Sequence, residues 1–169
     1  MLNNSDSAGM SYDAGRSFDH GLKLLNGVNV GGEYIQNDDM AFEQFNMAAN
    51  LNHAKAMFML WFCYFEGRGV QRDLVVAYQW LEKAANLGDE MSKWKLAEAY
   101  VGGEYALNKD LDKAKQLYLS LNLNDDIFDD EIRQGIIRVI YNTPEYVEQL
   151  HDFYPIINFA DTNNNVKRN

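Results

Sequence analysis

Few side chains in this sequence could act as a general base near neutral pH. The three histidines, His20, His53 and His151, lie in three different stretches, and none has a Cys, Ser or carboxylate at the spacing of a recognisable catalytic triad. Cys63 is the single cysteine, so no intramolecular disulfide can form, and its aromatic neighbours favour a buried apolar side chain over a nucleophile. We therefore predict that the chain is not an enzyme.

Two kinds of pattern resemble ligand sites but lack the residues that such sites need. The acidic run DDIFDDE, from Asp125 to Glu131, has neither the glycine nor the ligand spacing of a calcium loop, and the chain has no paired histidines and no cysteine cluster. The stretches GGEY and GRGV resemble phosphate-binding loops, yet no Lys-Ser/Thr pair follows them. We predict no metal, no cofactor and no catalytic residue. The glycines are interpreted as turns, and the acidic run as either a solvated helix start or a binding site.

The stretch from Ala54 to Gly88 predicts two helices joined by a glycine turn. Its first half places Met57, Leu60 and Tyr64 at helical spacing, and the residues GRGV then interrupt the pattern. A second stripe of apolar residues at helical spacing follows the turn. It consists of Leu74, Ala77, Tyr78, Leu81, Ala84 and Ala85.

The same helical hairpin recurs on both sides of this central copy. Ala41, Ala77 and Ala114, one in the second helix of each copy, are 36 and 37 residues apart. A glycine ends each first helix, because it reaches the left-handed backbone region without steric cost, and an Asn or Asp side chain then caps each second helix. The glycines are Gly31, Gly67 and either Gly103 or Gly102, and the caps are Asn37 or Asp38, Asp73 and Asp110.

The central copy resembles the Sel1-like repeat (SLR) family, relatives of the tetratricopeptide repeat. One departure is Trp61, where the family has a small residue, so either the hairpin is splayed there or the indole turns outward. The outer copies match less completely, and the three repeats cover about 17–52, 53–89 and 90–125. The matching residues of the central copy are Ala56, Phe58, Leu60, Tyr64, Gly67, Gly69, Val70, Asp73, Ala77, Trp80, Ala84, Ala85 and Gly88.

These patterns predict an all-α fold, an α/α solenoid of about three helical hairpins in one domain over 16–160. Residues 1–15 are polar and unpatterned, and we expect a flexible lead there. The first helix is predicted to start at Arg16 and to break at Gly31, and its partner to run from Asp38 to Leu51. Apolar stripes after residue 125 predict C-terminal helices over 126–158 that cap the last repeat, followed by a polar tail over 161–169.

The chain is acidic, with a formal net charge of −10. A field of that sign repels nucleic acid and anionic lipid and attracts basic protein surfaces, although the same charge also serves solubility alone. The N-terminus lacks the basic start and apolar run of a signal peptide, and no stretch is long and apolar enough for a membrane span. We therefore expect a cytoplasmic protein with a protein partner, without nucleic acid or membrane as partners. The sequence does not indicate an oligomeric state.

The first helices of stacked hairpins line one face of the array, where positions not used for packing are free to bind a partner. Projecting the repeat register onto that face predicts a protein-binding site. Phe62 admits two interpretations, as a core residue of an aromatic helix or as an exposed anchor bordered by acids. The predicted site residues are Asn26, Lys55, Phe62, Phe65, Glu66, Met91 and Glu98.

The resemblance implies a protein–protein interaction module. Small bacterial members of such families include immunity proteins that bind and block a toxin, so the first hypothesis is an antitoxin-like protein that neutralises a basic toxin domain. The second hypothesis is an adaptor or regulatory scaffold for an intracellular protein. A third, an enzyme or small-molecule binder, has the least support from the residues.

Overall fold

Six helices and one two-stranded sheet make up the part of the chain that the structure describes. This structure is a computed structural model, and it describes residues 4–103, 107–122 and 136, with the backbone alone for 4–12 and 30. Each helix packs against the next one along the chain from α1 to α5, which confirms the predicted all-α fold of stacked helical hairpins. The elements are α1 (Asn4–Asn26), β1 (Val28–Val30), β2 (Glu33–Ile35), α2 (Asp38–Asn50), α3 (Ala54–Glu66), α4 (Leu74–Asn86), α5 (Glu90–Gly102) and α6 (Leu111–Leu119).

Two compact units divide the chain. Met1–Leu117 form the first, which holds α1 to α5 and most of α6, and Tyr118–Asn169 form the second. The predicted C-terminal helices over 126–158, the acidic run and the polar tail fall outside the described residues, apart from Ile136, which is itself helical and buried. Within the described residues, no helix is both long enough and apolar enough to cross a membrane.

One backbone hydrogen bond is repeated in all three hairpins. The residue that precedes each second helix donates its N–H to a carbonyl near the end of the first helix, and the donor–acceptor distance is 3.0 Å each time. The side chain of the same residue caps the second helix by accepting a bond from the amide three residues on. The backbone pairs are Asn37 to Leu24, Asp73 to Tyr64 and Asp110 to Tyr100.

The hydrophobic core lies between the helices, on the stripes that the sequence pattern marks. Ala41, Ala77 and Ala114 are all fully buried, since a methyl group at this position lets neighbouring helices approach closely. At the start of the array, the approach is closer still. A Cβ at Gly21 would lie 2.6 Å from the ring of Phe45, so only glycine lets α1 contact α2 there.

The first repeat departs from the predicted pattern at its turn. The first helix ends at Asn26 and not at Gly31, because a β-hairpin, β1 paired antiparallel with β2, follows it. Gly31 and Gly32 form the hairpin turn with φ of 64° and 95°, as the two positions of a tight turn between twisted strands require. Gly67 and Gly103, by contrast, end α3 and α5 in the left-handed conformation, as predicted.

The N-terminus also differs from its prediction. Helix α1 begins at Asn4, twelve residues before Arg16, so most of the stretch predicted as a lead is helical. Its sequence, NSDSAGMSYDAG, has no regular apolar stripe, and Ala14 is the first buried residue among the side chains of α1 that the structure describes. Packing stabilises the later turns of α1. The helix then extends toward the N-terminus because each further residue that joins it adds one hydrogen bond.

Candidate functional site

One side of α3 carries the most exposed residues of that helix. Lys55 and Glu66 are exposed, and Phe62 is partly exposed between them, at spacings of seven and four residues that place all three along one line of the helix. Met91 and Glu98 occupy the matching positions of α5, 36 residues on from Lys55 and Phe62. We call these five residues the first-helix ridge. Five of the seven predicted site residues therefore lie on equivalent faces of two first helices.

Phe62 combines the two interpretations that the sequence left open. Its ring is half-buried and packs against the core cluster of the first two repeats, so it is not a fully exposed anchor. The guanidinium of Arg68 lies 5.9 Å from the ring centroid. Packing on one side and the guanidinium on the other thus fix the position of a ring that stays partly exposed.

Arg68 is itself held by a carboxylate from another repeat. Its Nε and Nη2 donate to the two carboxylate oxygens of Asp38 at 2.9 and 2.7 Å, and Nη2 also donates to the carbonyl of Leu25 at 3.4 Å. These hydrogen bonds lower the pKa of Asp38, because they favour its ionised form. The pair connects the turn after α3 to the first turn of α2 and keeps the guanidinium over Phe62.

Phe65 lies off the ridge, in a separate aromatic row. Its ring centroid is 5.4 Å from that of Trp61, which is in turn 5.0 Å from Phe58. Arg72 lies over Phe65 at 6.0 Å and donates from Nε to the Phe65 carbonyl at 2.8 Å. Trp61 does not turn outward: it is half-buried, and its indole N–H is buried with no hydrogen-bond partner among the described residues.

Asn26 is exposed at the last position of α1, but its role is within the chain. Its carbonyl accepts a hydrogen bond from the hydroxyl of Tyr34 in β2. The Tyr34 ring also covers Gly27, where a Cβ would overlap the ring. This contact holds the β-hairpin against the end of α1.

The ridge is nearly neutral although the chain is acidic. Lys55 balances Glu66, and Glu98 pairs with Lys95 at 3.0 Å. Five cations of the described residues lie over aromatic rings, and three of them, Arg68, Lys95 and Lys113, also pair with a carboxylate. These pairs are Arg68 over Phe62, Arg72 over Phe65, Lys83 over Trp80, Lys95 over Trp94 and Lys113 over Tyr100.

Two of the titratable residues considered from the sequence have structural roles. Burial raises the pKa of the Cys63 thiol to about 12, so it stays protonated and is a poor nucleophile at neutral pH. His53 precedes α3, and its Nδ1 accepts a hydrogen bond from the Ala56 amide at 3.2 Å. Its ring stacks on Phe18 at a centroid distance of 4.7 Å. Burial lowers the pKa of His53, which keeps Nδ1 free of a proton and able to accept.

A groove between α1 and α2 was not predicted. It has a volume of about 730 Å³ and is bordered by charged residues of α1 and by apolar residues of α2. Charges that alternate in sign along one face of α1 are the signal that sequence analysis could have used. The lining residues are Asp13, Arg16, Ser17, Asp19, His20, Lys23, Gln44, Met47 and Leu51.

Comparison with known proteins identifies the repeated hairpin. The Sel1 repeat model matches residues 18–53, 54–89 and 91–121. No curated protein sequence matches the chain. A crystal structure of a Sel1 repeat protein from Oxalobacter formigenes has a TM-score of 0.53 and 30% identity, and the match covers 63% of this chain and 41% of that one.

A second solved structure shows the same fold. It is c5321, a protective antigen of uropathogenic Escherichia coli strains with an SLR fold, at a TM-score of 0.56 and 21% identity, and the match covers 71% of this chain and 25% of that one. The chain thus spans less than half the length of either similar structure. The three matches to the repeat model follow one another along the chain, one for each helical hairpin. The chain belongs to the Sel1 repeat family, whose repeats act as protein–protein interaction modules.

Proposed function

We propose that the chain binds a protein partner through the first-helix ridge and acts as a cytoplasmic immunity protein that neutralises a toxin. The observation that carries the binding surface is Phe62, an aromatic side chain that is partly exposed, fixed by Arg68 and bordered by Lys55 and Glu66. An aromatic centre with a polar rim is the usual anatomy of a protein interface.

The net charge supports a basic partner. Glu66 and Glu98 of the ridge, together with exposed carboxylates on other helices such as Asp39 and Glu43 of α2, would attract such a partner. Long-range attraction speeds encounter, and the apolar contact then supplies most of the affinity. A cytoplasmic toxin domain with a basic surface would be attracted by the carboxylates and then held by the apolar contact.

The binding surface is tested by site-specific cross-linking. A benzophenone amino acid at position 66, on the ridge, should cross-link the chain to one protein in its source cell. The same probe at position 82, on an exposed face of α4, is the matched control and should give no such product. Equal cross-linking from both positions would show that the ridge is not the binding surface.

The neutralising role is tested with the captured protein. We expect that protein to arrest growth when expressed alone in a bacterial host, and co-expression of this chain to restore growth. A ridge variant, Glu66→Lys, should restore growth less well than the control Glu82→Lys. A captured protein that does not affect growth would favour the alternative function, an adaptor or scaffold for an intracellular protein.

A further inference from the structure

The groove between α1 and α2 lies outside the first-helix ridge and has its own charge pattern. Along α1, Asp13 and Lys23 stand at its two ends, ten residues apart, with Arg16 and Asp19 between them. At 1.5 Å per residue, the two end charges are separated by about 15 Å along the helix axis. Among the described residues, neither Asp13 nor Lys23 has an ion-pair partner.

The opposite wall of the groove supplies apolar contact. Met47 is 54% exposed, and Leu51, the residue that directly follows α2, is half-buried. An exposed methionine beside a second apolar side chain can adapt to a partner's surface, because its side chain is unbranched and polarizable. The groove therefore combines an apolar wall with charges of both signs.

The charges along α1 are placed so that two copies of the helix running in opposite directions would set opposite charges against each other. Asp13 lies five residues before Phe18 and Lys23 lies five residues after it. A two-fold axis at the level of Phe18 would place Asp13 of one copy opposite Lys23 of the other, and this ion pair would form twice. In a parallel arrangement, Asp13 would face Asp13 and Lys23 would face Lys23, and like charges would repel.

We propose that this groove is the interface of a homodimer in which the two α1 helices run antiparallel across a two-fold axis. Met47 and Leu51 of each copy pack against the α1 helix of the other, and the two Asp13–Lys23 pairs set the direction. This interface is independent of the first-helix ridge, so a dimer would leave the ridge of each copy open to a partner.

The test is the mass of the chain in solution as a function of concentration. Sedimentation equilibrium at low ionic strength should show a monomer of 19.4 kDa that shifts to twice that mass as concentration rises into the high micromolar range. Asp13→Lys and Lys23→Asp should each raise the dissociation constant roughly ten-fold or more, since each creates two like-charge pairs. The control Glu82→Lys, on α4, should leave the dissociation constant unchanged.

Charge exchange tests the ion pairs, and the double variant tests their antiparallel direction, because in a parallel arrangement its like charges would face each other. An equimolar mixture of Asp13→Lys and Lys23→Asp should form a heterodimer, because every pair is then opposite in sign, although neither variant dimerises well alone. The double variant Asp13→Lys/Lys23→Asp should regain self-association. Circular dichroism on each variant establishes that it is folded. A wild-type mass of 19.4 kDa at every concentration, or charge variants that fold and associate like wild type, would overturn the proposal.

Discussion

Arg68 and Asp38, thirty residues apart in sequence, form a two-pronged ion pair with distances of 2.7 and 2.9 Å. It joins the turn of the second repeat to the second helix of the first. Their side chains are 30% and 33% exposed, so water screens the pair only in part. The same guanidinium borders Phe62, which couples the junction between two repeats to the candidate binding surface.

Arg68→Met should lower the free energy of unfolding by about 1 kcal/mol, because a partly exposed but bidentate pair is worth more than a typical surface pair. Urea denaturation measures the change. A double-mutant cycle with Asp38→Asn separates the pair from the other contacts of Arg68. Lys95→Met is the control, since its pair with Glu98 lies within one helix and is more exposed. A coupling energy near zero between Arg68 and Asp38 would contradict the expectation.

Gly69→Ala should destabilise the fold more than Gly88→Ala. Both glycines have positive φ, 69° and 90°, so both substitutions add backbone strain. A Cβ at Gly69 would also lie 2.1 Å from the carbonyl oxygen of Asp38, whereas nothing lies within 4 Å of a Cβ at Gly88. We expect losses of about 1 kcal/mol at Gly88 and about 3 kcal/mol or more at Gly69. Equal melting temperatures for the two variants would show that the turn does not press on α2.

The fold should lose stability as the pH falls below the ordinary histidine value of 6.5. Burial and the charge of Lys55 lower the pKa of His53. The carboxylates of Asp19 and Asp89 raise it, but by less, so the net shift is downward. The contribution of the neutral ring is therefore complete above 6.5 and is lost as the pH falls through the lower, folded pKa. Protonation would remove the acceptor for the Ala56 amide and place a positive charge at a helix N-terminus.

Urea denaturation at pH 7.5 and 5.5 tests this, with a limit of about 1.4 kcal/mol per pH unit for one proton. His53→Asn keeps a capping acceptor without a titratable group, so its stability should change less over this range. His20→Asn, at an exposed position of α1, is the control and should retain the wild-type pH dependence. An unchanged slope in His53→Asn would assign the pH dependence to other groups.

Binding kinetics should separate the roles of charge and of Phe62. Neutralising Glu66 and Glu98 should slow association with a basic partner and weaken its salt dependence, whereas Phe62→Ala should speed dissociation and cost about 2 kcal/mol of binding free energy. Because Phe62 also packs against the core, the same variant should lower the melting temperature. Phe42→Ala, half-buried against the same cluster but off the ridge, is the control for that loss of stability. Equal dissociation rates for both variants would remove Phe62 from the interface.

Much of the array could be predicted because its signals are local. Alanine spacing, a capping oxygen and a glycine at the end of a helix each act within a few residues, and Asp73, Gly67 and Ala77 occupy the predicted positions. The hairpin after α1 also had a local signal, two glycines between β-branched residues at Val28, Val30 and Ile35. Aligning Gly31 with Gly67 assigned the glycines to a helix end instead.

The contacts between repeats could not be predicted in the same way. Arg68 meets Asp38 only because one hairpin stacks on the other, and the half-buried state of Phe62 follows from the same packing. Neither Arg68 nor Phe62 has a counterpart of the same type in the third copy, where the matching positions are Glu104 and Glu98. Repeat periodicity therefore specifies the hairpins, and the residues that differ between copies determine the surface.

The β-hairpin of the first repeat suggests where the array accepts foreign sequence. The turn between the paired helices spans 27–37 in the first repeat, 67–73 in the second and 103–110 in the third, yet the hydrogen bond that closes it is 3.0 Å long in all three. The length of the turn therefore does not change how the two helices of a hairpin are aligned, because the closing hydrogen bond and the cap fix the end of the first helix and the start of the second. The tip between Gly31 and Gly32 has open space around both residues. An epitope or reporter peptide grafted there would be displayed at the end of a preformed ribbon, without shifting the paired helices of the repeats.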